Sequence, residues 1–230
     1  GYDGHKGQGY QVQIAETYST DEEEPALSLI THVAVESANK HDYGALIPAL
    51  ERAQKLGLPP EKILADSAYG SDDNHQKAQE QGVGLIAPVP GKEPGGELSL
   101  ADFSFSEHEK VSACPQGQVP FKQSLNKTTR TAFFARSTCA TCSKRSQCPV
   151  LEGKRGHRLR YDGKQLRNAR RRAFEVTPLF MELYRFRAGV EATMSQYDRK
   201  TGVKHLRVRV FKNVAFCATQ KAAAINLLRA

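Results

Sequence analysis

Hydrophobic and polar residues alternate near the start of the chain, and this alternation predicts two β-strands. Tyr10, Val12 and Ile14 are separated by polar residues. The apolar segment 30–35 follows an acidic turn at 21–25. Period-two alternation and short apolar runs bounded by turn residues are typical of strands. We therefore predict that the two segments pair as a hairpin.

The pattern then changes to helical segments that alternate with short apolar runs. Apolar residues recur at three- and four-residue intervals at Leu46, Leu50, Ala53 and Leu56. This spacing predicts a helix with Asn39 and Asp42 as candidate caps and an end at Gly57. The apolar runs 63–65 and 84–89 flank a polar segment with helical character. Their order favours two buried strands of a βαβ unit.

Beyond residue 89 glycine and proline become frequent, and four of the five cysteines fall in this part of the chain. Helical patterns return later, one of them opened by Pro178 and another over residues 212–228. We therefore divide the chain into three parts: 1–89, the N-terminal part of a core; 90–163, a Cys-rich insertion; and 164–230, the helical C-terminal part of the same core.

Composition bounds the class of protein. At 230 residues and 39% hydrophobic, the chain can bury a sizeable core. No apolar run approaches the roughly 18 to 20 residues that a membrane span needs, which predicts a cytoplasmic protein. The chain starts with Gly1 instead of Met and enters a strand almost at once, so we expect it to be a fragment of a longer protein.

Charge is distributed unevenly. Residues 1–100 carry 7 Lys/Arg and 16 Asp/Glu, a net charge of −9, whereas residues 151–212 carry 17 and 6, a net charge of +11. A basic surface attracts phosphate backbones, since each neutralised phosphate releases condensed counterions. Charge by itself leaves a DNA-binding surface and a merely solvated basic face equally open.

Two short motifs hold residues capable of chemistry. Asp66 follows the predicted strand 63–65, at the sheet edge where ligand sites of α/β proteins gather. The helix after Pro178 carries Tyr184, Arg187 and Glu191 at spacings that place them along one stripe. Taken separately, Asp66 is better explained as a turn cap, and Arg187 with Glu191 as an ordinary surface pair.

Together the motifs resemble the DDE transposases of bacterial insertion sequences over nearly the whole chain. The matching segments are residues 9–14, 39–42 and 65–70 and the pattern Tyr184-x2-Arg187-x3-Glu191. The resemblance implies an α/β fold of the RNase H-like type, a mixed sheet flanked by helices. It also implies Mg²⁺-dependent cleavage and strand transfer of DNA at insertion-sequence ends, by a homodimer in a nucleoid-associated complex.

The resemblance assigns roles to particular residues. Asp66 corresponds to the second and Glu191 to the third of three acids that hold two Mg²⁺ ions. Tyr184 and Arg187 accompany the glutamate, and Arg187 would contact phosphate near the cleavage site. Carboxylates suit this chemistry because hard divalent cations prefer oxygen ligands.

This chain departs from the family pattern at two points. The family's first Asp precedes the opening hairpin, and neither Asp3 nor Asp42 is a good substitute. We therefore expect that acid to lie outside the chain, which would leave the fragment nearly inactive. The family also places a Lys seven residues after the Glu. Here that position is Asp198, with Arg199 and Lys200 directly after it.

The cysteines suggest a second metal site. Cys139-x2-Cys142-x5-Cys148 lies downstream of Cys114 and has the spacing of a structural four-thiolate zinc site, with His157 as an alternative ligand. In a cytosolic protein this pattern favours metal over disulfides. Unliganded core cysteines are the competing interpretation. We interpret Cys217 as a small, buried hydrophobic residue.

Basic residues near the predicted site would guide DNA across it. They are Arg167, Arg170, Arg171, Arg172, Arg199, Lys200, Lys204, Arg207 and Arg209. No motif that reads base sequence is visible. Two alternatives to a transposase stay open at this point: a non-catalytic, zinc-stabilised DNA-binding module, and a nuclease of the same fold that hydrolyses DNA without joining strands.

Overall fold

In the computed structural model, which describes residues 9–21, 23, 26–91, 98–154 and 156–230, the chain divides into two units. The first is built from Gly1–Pro90 and Pro178–Ala230, and the second from Gly91–Thr177. Asp3 and part of the acidic turn, namely Glu22, Glu24 and Pro25, lie outside the described residues.

The predicted hairpin opens the first unit. Strands β1 (Tyr10–Glu16) and β2 (Ile30–Ser37) pair antiparallel, with Val12 opposite Val35. The alternation that predicted the strands has a packing reason. Val12 and Ile14 pack against a core cluster that contains Val214, Ala218 and Ile225 of the last helix, so every second residue faces apolar side chains.

The βαβ unit follows in the predicted order. It comprises α1 (Leu46–Lys55), β3 (Lys62–Leu64), α2 (Asp72–Glu80) and β4 (Gly84–Ile86), with β3 and β4 parallel. Leu50 and Ala78 are fully buried between these elements. The prediction of Asn39 and Asp42 as caps is wrong, since a 3-10 turn at Asp42–Ala45 leads into α1 without a side-chain cap.

The helical end of the first unit differs from the prediction. Helix α5 (Pro178–Tyr184) stops at a 3-10 turn, Arg185–Arg187, and α6 (Ala188–Thr201) begins directly after it. Tyr184 and Glu191 therefore lie on separate helices instead of one. Gly202, with φ of 61°, ends α6 in a left-handed turn, and α7 (Phe211–Arg229) completes the unit.

The second unit has a core of its own. In the described residues its strands and helices are β5 (Ser104–Phe105), β6 (Val111–Ala113), β7 (Lys122–Asn126), β8 (Thr129–Phe134), α3 (Arg136–Ala140), β9 (His157–Tyr161) and α4 (Gly163–Glu175). Phe134, Leu159 and Leu166 are buried together in its core. Because Leu166 belongs to α4, this helix packs in the second unit, although the sequence division had placed it with the C-terminal part.

The mixed α/β class is as predicted. Within the described residues the strands form four small sheets: β1–β2, β3–β4, β5–β6 and β7–β8–β9. An RNase H-like sheet that joins the first two of these stays a prediction. No helix in the described part of the chain is both long and apolar enough to cross a membrane.

Candidate active site

Asp66 lies where the parallel strands end. Strand pairing continues one residue past β3, because the Ala65 amide donates to the Ile86 carbonyl at 3.0 Å. The chain then turns sharply. A carboxylate oxygen of Asp66 accepts from the Ala68 amide at 2.9 Å, and the Asp66 carbonyl accepts from the Tyr69 amide at 3.1 Å. The turn fixes a half-buried carboxylate at the edge of the sheet.

Gly70 allows this turn to sit against the next strand segment. A Cβ atom at residue 70 would lie 1.9 Å from the carbonyl oxygen of Pro88. No real side chain tolerates that distance, so the close approach of the two backbone segments requires glycine. The position of Asp66 therefore depends on a residue four positions later in the chain.

A buried asparagine ties the Asp66 turn to the segment before α1. Asn74 is 4% exposed, and its side-chain amide donates to the carbonyls of Tyr43 at 2.8 Å and Tyr69 at 3.0 Å. Burial, together with the nearby charges of Asp42, Asp66 and Glu36, raises the pKa of Tyr69 to about 12. Asp42, Asp66 and the Tyr69 phenol thus belong to one electrostatic neighbourhood.

Glu191 lies in the first turn of α6. Its side chain is 68% exposed, and the guanidinium of Arg187 lies 2.9 Å from one of its carboxylate oxygens. The same guanidinium carbon lies 5.9 Å from the centre of the Tyr184 ring. The predicted grouping of a phenol, a cation and a carboxylate is present, although the helix break falls between Tyr184 and Glu191.

One cavity of about 1410 Å³ in the first unit is lined by both predicted acids. Asp66 reaches it from the end of β3, and Glu191 from the first turn of α6. Arg187, Arg199 and Lys204 also line it. The cavity wall thus carries two carboxylates that are far apart in sequence, with cations among its other lining residues.

The donor atoms on the cavity wall suit a hard divalent cation. Asp66 and Glu191 offer carboxylate oxygens, which Mg²⁺ and Mn²⁺ prefer over nitrogen or sulfur. Among the described residues, no group of three or more His, Cys, Asp or Glu side chains is arranged to hold a metal ion. The two acids fit part of a metal site, and a third ligand is not among the described groups.

Residues 113–230 match the protein family described as Transposase DDE domain. The chain belongs to this transposase DDE domain family. The match includes Tyr184, Arg187, Glu191 and all four clustered cysteines, whereas Asp66 precedes it. DDE domains of transposases generally use divalent metal ions. No curated protein matches the chain.

The basic residues of the DDE domain gather at the end of α6. Arg199, Lys200 and Lys204 are exposed there. Lys204 lies 3.1 Å from a carboxylate oxygen of Asp198. Its hydrogen bond lowers the pKa of Asp198. Asp198 thus binds a cation that lies six residues later in the chain.

The four clustered cysteines of the transposase chain lie in the second unit, half-buried and without disulfides. Cys114 begins a tight turn, in which its carbonyl accepts from the Gly117 amide at 2.8 Å. Cys139 lies within α3, and Cys142 follows the end of that helix. Burial raises the pKa of the Cys139 and Cys148 thiols, and the neighbouring thiols of the cluster add to the rise. The zinc site stays a prediction.

The alternative zinc ligand His157 and the fifth cysteine, Cys217, lie in different units. His157 begins β9 and is 5% exposed, and its Nδ1 atom has no hydrogen-bond partner among the residues that the structure describes. It packs in the same unit as the four cysteines, so it stays an alternative ligand. Cys217 lies half-buried on α7.

Sequence reasoning missed the side chains that support the acids. They are Gln13, Glu16, Asn74, Thr193 and Arg229. Gln13 donates its amide to Asp42 at 3.2 Å, and the others form buried contacts around Asp66 and behind α6. Their sequence surroundings carried no signal of this role, because Asn74 lies in a polar helix and the hydrogen-bonded partners Thr193 and Glu16 come from distant segments.

Proposed function

We propose that this transposase domain cleaves and joins DNA strands at the ends of a bacterial insertion sequence, with Asp66 and Glu191 as ligands of catalytic Mg²⁺. One observation carries the proposal. In a chain of the transposase DDE domain family, these two acids, 125 positions apart in sequence numbering, line a single cavity.

The proposal assigns each acid a simple task. Bound divalent cations would activate a water or a DNA 3′-hydroxyl and stabilise the leaving oxygen of the phosphodiester. Asp66 is held for this purpose by the Ala68 amide. Glu191 projects from a helix whose first turn also carries the positive end of the helix dipole, which favours a carboxylate there.

The cations beside the acids would hold the DNA backbone. Arg187 is paired with Glu191 at 2.9 Å. A phosphate that enters the cavity offers the guanidinium a second, stronger partner. Arg199, Lys200 and Lys204 extend the positive surface at the other end of α6 and would contact neighbouring phosphates. Tyr184 would support the Arg187 guanidinium through its ring face.

The remaining acids on the cavity wall are less suited to the metal. Glu16 is paired with Arg229, and Asp198 with Lys204. Asp42 accepts a hydrogen bond from Gln13 and keeps one carboxylate oxygen for other partners. We therefore rank Asp66 and Glu191 first and Asp42 third among the acids in the described residues.

The second unit would serve the catalytic unit as a zinc-stabilised insertion. Four thiolates are a typical ligand set of structural zinc. Support comes from the turn at Cys114–Gly117 and from the mutual electrostatic influence of the four thiols. In the active complex two copies of the chain would hold the two ends of the element, one end for each copy.

The test is an assay of the full-length transposase on DNA that carries the ends of its element, with Mg²⁺ or Mn²⁺. We expect nicked and joined products from the wild type. We expect Asp66→Asn and Glu191→Gln to lose both products by several orders of magnitude while they still bind DNA. Asp73→Asn is the matched control, since Asp73 is an exposed acid paired with Lys77 on α2.

Other outcomes favour the competing functions. Nicking without joined products would identify a nuclease of this fold. Equal DNA binding by all variants and no metal-dependent cleavage would favour a non-catalytic DNA-binding module. The expectation that the 230-residue chain is inactive by itself stays a prediction, and the same assay run with that chain alone checks it.

A further inference from the structure

A buried ion pair lies behind the helix that carries Glu191. Arg229, near the end of α7, places Nη1 3.2 Å from Oε2 of Glu16, at the end of β1. The two side chains are only 15% and 6% exposed. Buried charges persist in proteins when they are both paired and fully hydrogen-bonded. The hydrogen bonds around this pair therefore show which elements of the fold it links.

Two residues of α6 complete the hydrogen bonding of the pair. Thr193, which is 4% exposed, donates its hydroxyl to Glu16 Oε2 at 2.5 Å and accepts from Arg229 Nη2 at 2.5 Å. Gln196 Oε1 accepts from Arg229 Nη2 at 2.8 Å and from Nε at 3.1 Å. The ion pair is thus part of a ring of hydrogen bonds to which two residues of α6 contribute.

The second oxygen of Glu16 also faces α6. A Cβ atom at Gly189 would lie 3.8 Å from Glu16 Oε1. Gly189 and Thr193 are one helical turn apart and share a face, whereas Glu191 lies midway between them on the opposite face. The Glu16 carboxylate therefore lies against the face of α6 opposite the one that carries Glu191.

The other side of the network is anchored to the hairpin. Arg229 Nη1 donates to the Ser28 carbonyl at 2.7 Å. One turn earlier on α7, the side chain of Asn226 accepts from the Ile30 amide at 2.8 Å and donates to the Ile30 carbonyl at 2.9 Å. Residues of α7 thereby connect the start of β2 with the buried face of α6.

We propose that Thr193 and the Glu16–Arg229 pair are positioning residues that set the rotation and height of α6, and with them the direction of the Glu191 carboxylate. This inference rests on the proposed function. Glu16 is then a structural acid and not a metal ligand, although it lies on the cavity wall. Metal sites are sensitive to such support, because a ligand that is misdirected by a small rotation no longer completes the coordination.

The experiment measures Mn²⁺ binding by calorimetry, alongside thermal unfolding, in the full-length protein. Thr193→Val keeps the shape of the side chain and removes both hydrogen bonds. We expect its Kd for Mn²⁺ to rise about tenfold, the range seen when outer-shell partners of metal ligands are removed. Thr193→Ser restores the hydroxyl and should bind as the wild type does. Thr219→Val, the same change on the exposed face of α7, should leave the Kd unchanged.

A purely structural role gives a different result. Thr193→Val would then lower the melting temperature, yet the folded protein would bind Mn²⁺ with the wild-type Kd, and the inference would be overturned. If Thr193→Val does not fold, Gln196→Met gives the second test. It removes one acceptor of Arg229 at a half-buried position and should also raise the Kd; an unchanged value counts against the proposal.

Glu191→Gln separates this inference from the proposed function. If Glu191→Gln loses Mn²⁺ binding while Thr193→Val keeps it, only the positioning role fails. If the wild type binds no Mn²⁺ at all, the metal-dependent function fails, and the positioning role fails with it.

Discussion

The guanidinium of Arg187 lies 2.9 Å from the carboxylate of Glu191, one helical turn further along the chain. Both side chains are accessible, at 30% and 68%. An exposed pair of this kind contributes only about 0 to 1 kcal/mol. The Glu191 carboxylate can therefore leave the guanidinium and bind a metal ion at little cost. In the same way, the Arg187 guanidinium can leave the carboxylate and bind a phosphate.

Replacing Arg187 by Gln should weaken DNA binding without weakening metal binding. One phosphate contact is lost, so the slope of log affinity against log salt concentration should fall by about 1. The Mn²⁺ affinity should be equal to or higher than that of the wild type, because Glu191 loses a competing partner. Fluorescence anisotropy across a salt series measures the first effect and calorimetry the second.

Lys77→Gln is the control for that experiment, since Lys77 is an exposed cation on α2 that pairs with Asp73 at 2.9 Å. It should keep the wild-type salt slope. An Arg187→Gln protein that binds DNA with an unchanged slope would remove Arg187 from the DNA-binding surface.

Gly70→Ala should destabilise the first unit. The added Cβ meets the Pro88 carbonyl oxygen at 1.9 Å, so the Asp66 turn or the segment after β4 must shift. Forced overpacking of this kind costs about 1 to 3 kcal/mol. Urea unfolding measures the loss. Gly44→Ala meets no atom within 4 Å and should be tolerated; equal stability of the two variants would show that the close approach to Pro88 is absent.

Buried tyrosines predict a loss of stability at alkaline pH. Burial raises the pKa of Tyr197 from 10.0 to about 12. At pH values between these two pKa values, the folded state therefore keeps a phenol proton that the unfolded state has already released. It binds more protons than the unfolded state, so the free energy of unfolding falls as pH rises from the unfolded to the folded pKa.

Tyr197→Phe tests this pH dependence. The variant loses the hydrogen bond from the phenol to the Ala218 carbonyl, 2.5 Å long, and should be less stable near neutral pH. Its stability should decline less steeply than that of the wild type in alkaline solution. Tyr43, whose side chain is 56% exposed, is the control, and Tyr43→Phe should follow the wild-type pH profile.

The cysteine cluster predicts a chelator-sensitive second unit. If four thiolates hold zinc, the protein should carry one zinc per chain, and a strong chelator should unfold the second unit while the first keeps its unfolding curve. Cys142→Ser should lose zinc, and Cys217→Ser should retain it. Protein prepared without chelator that contains no zinc, and unfolds identically with and without chelator, would contradict the prediction.

Local patterns in the sequence were sufficient for the elements near Asp66. The alternation of Val12 and Ile14 and the spacing of Leu46 and Leu50 reflect which faces pack against apolar neighbours, and the structure has the corresponding strands and helix. The position of Asp66 at a strand end followed from the same reasoning, since ligand sites gather at this edge of α/β sheets.

Such local patterns could not predict contacts between distant segments of the chain. Residues 185–187, where the helix breaks, contain no proline or glycine from which the break could have been predicted. Nothing in the sequence around Thr193 indicates that its hydroxyl meets Glu16, because the two residues come from distant segments. Burial of a polar side chain depends on its partner, and sequence periodicity does not identify partners.

Iron-directed cleavage of the chain tests directly whether Asp66 and Glu191 share one metal site. Replacing Mg²⁺ by Fe²⁺ and adding ascorbate and peroxide generates radicals at the bound ion, which cut the chain nearby. We expect cuts in two regions, around Asp66 and around Glu191, that excess Mg²⁺ suppresses and that both Asp66→Asn and Glu191→Gln reduce. Cuts near one of the two residues alone, or cuts that Mg²⁺ does not suppress, would contradict it.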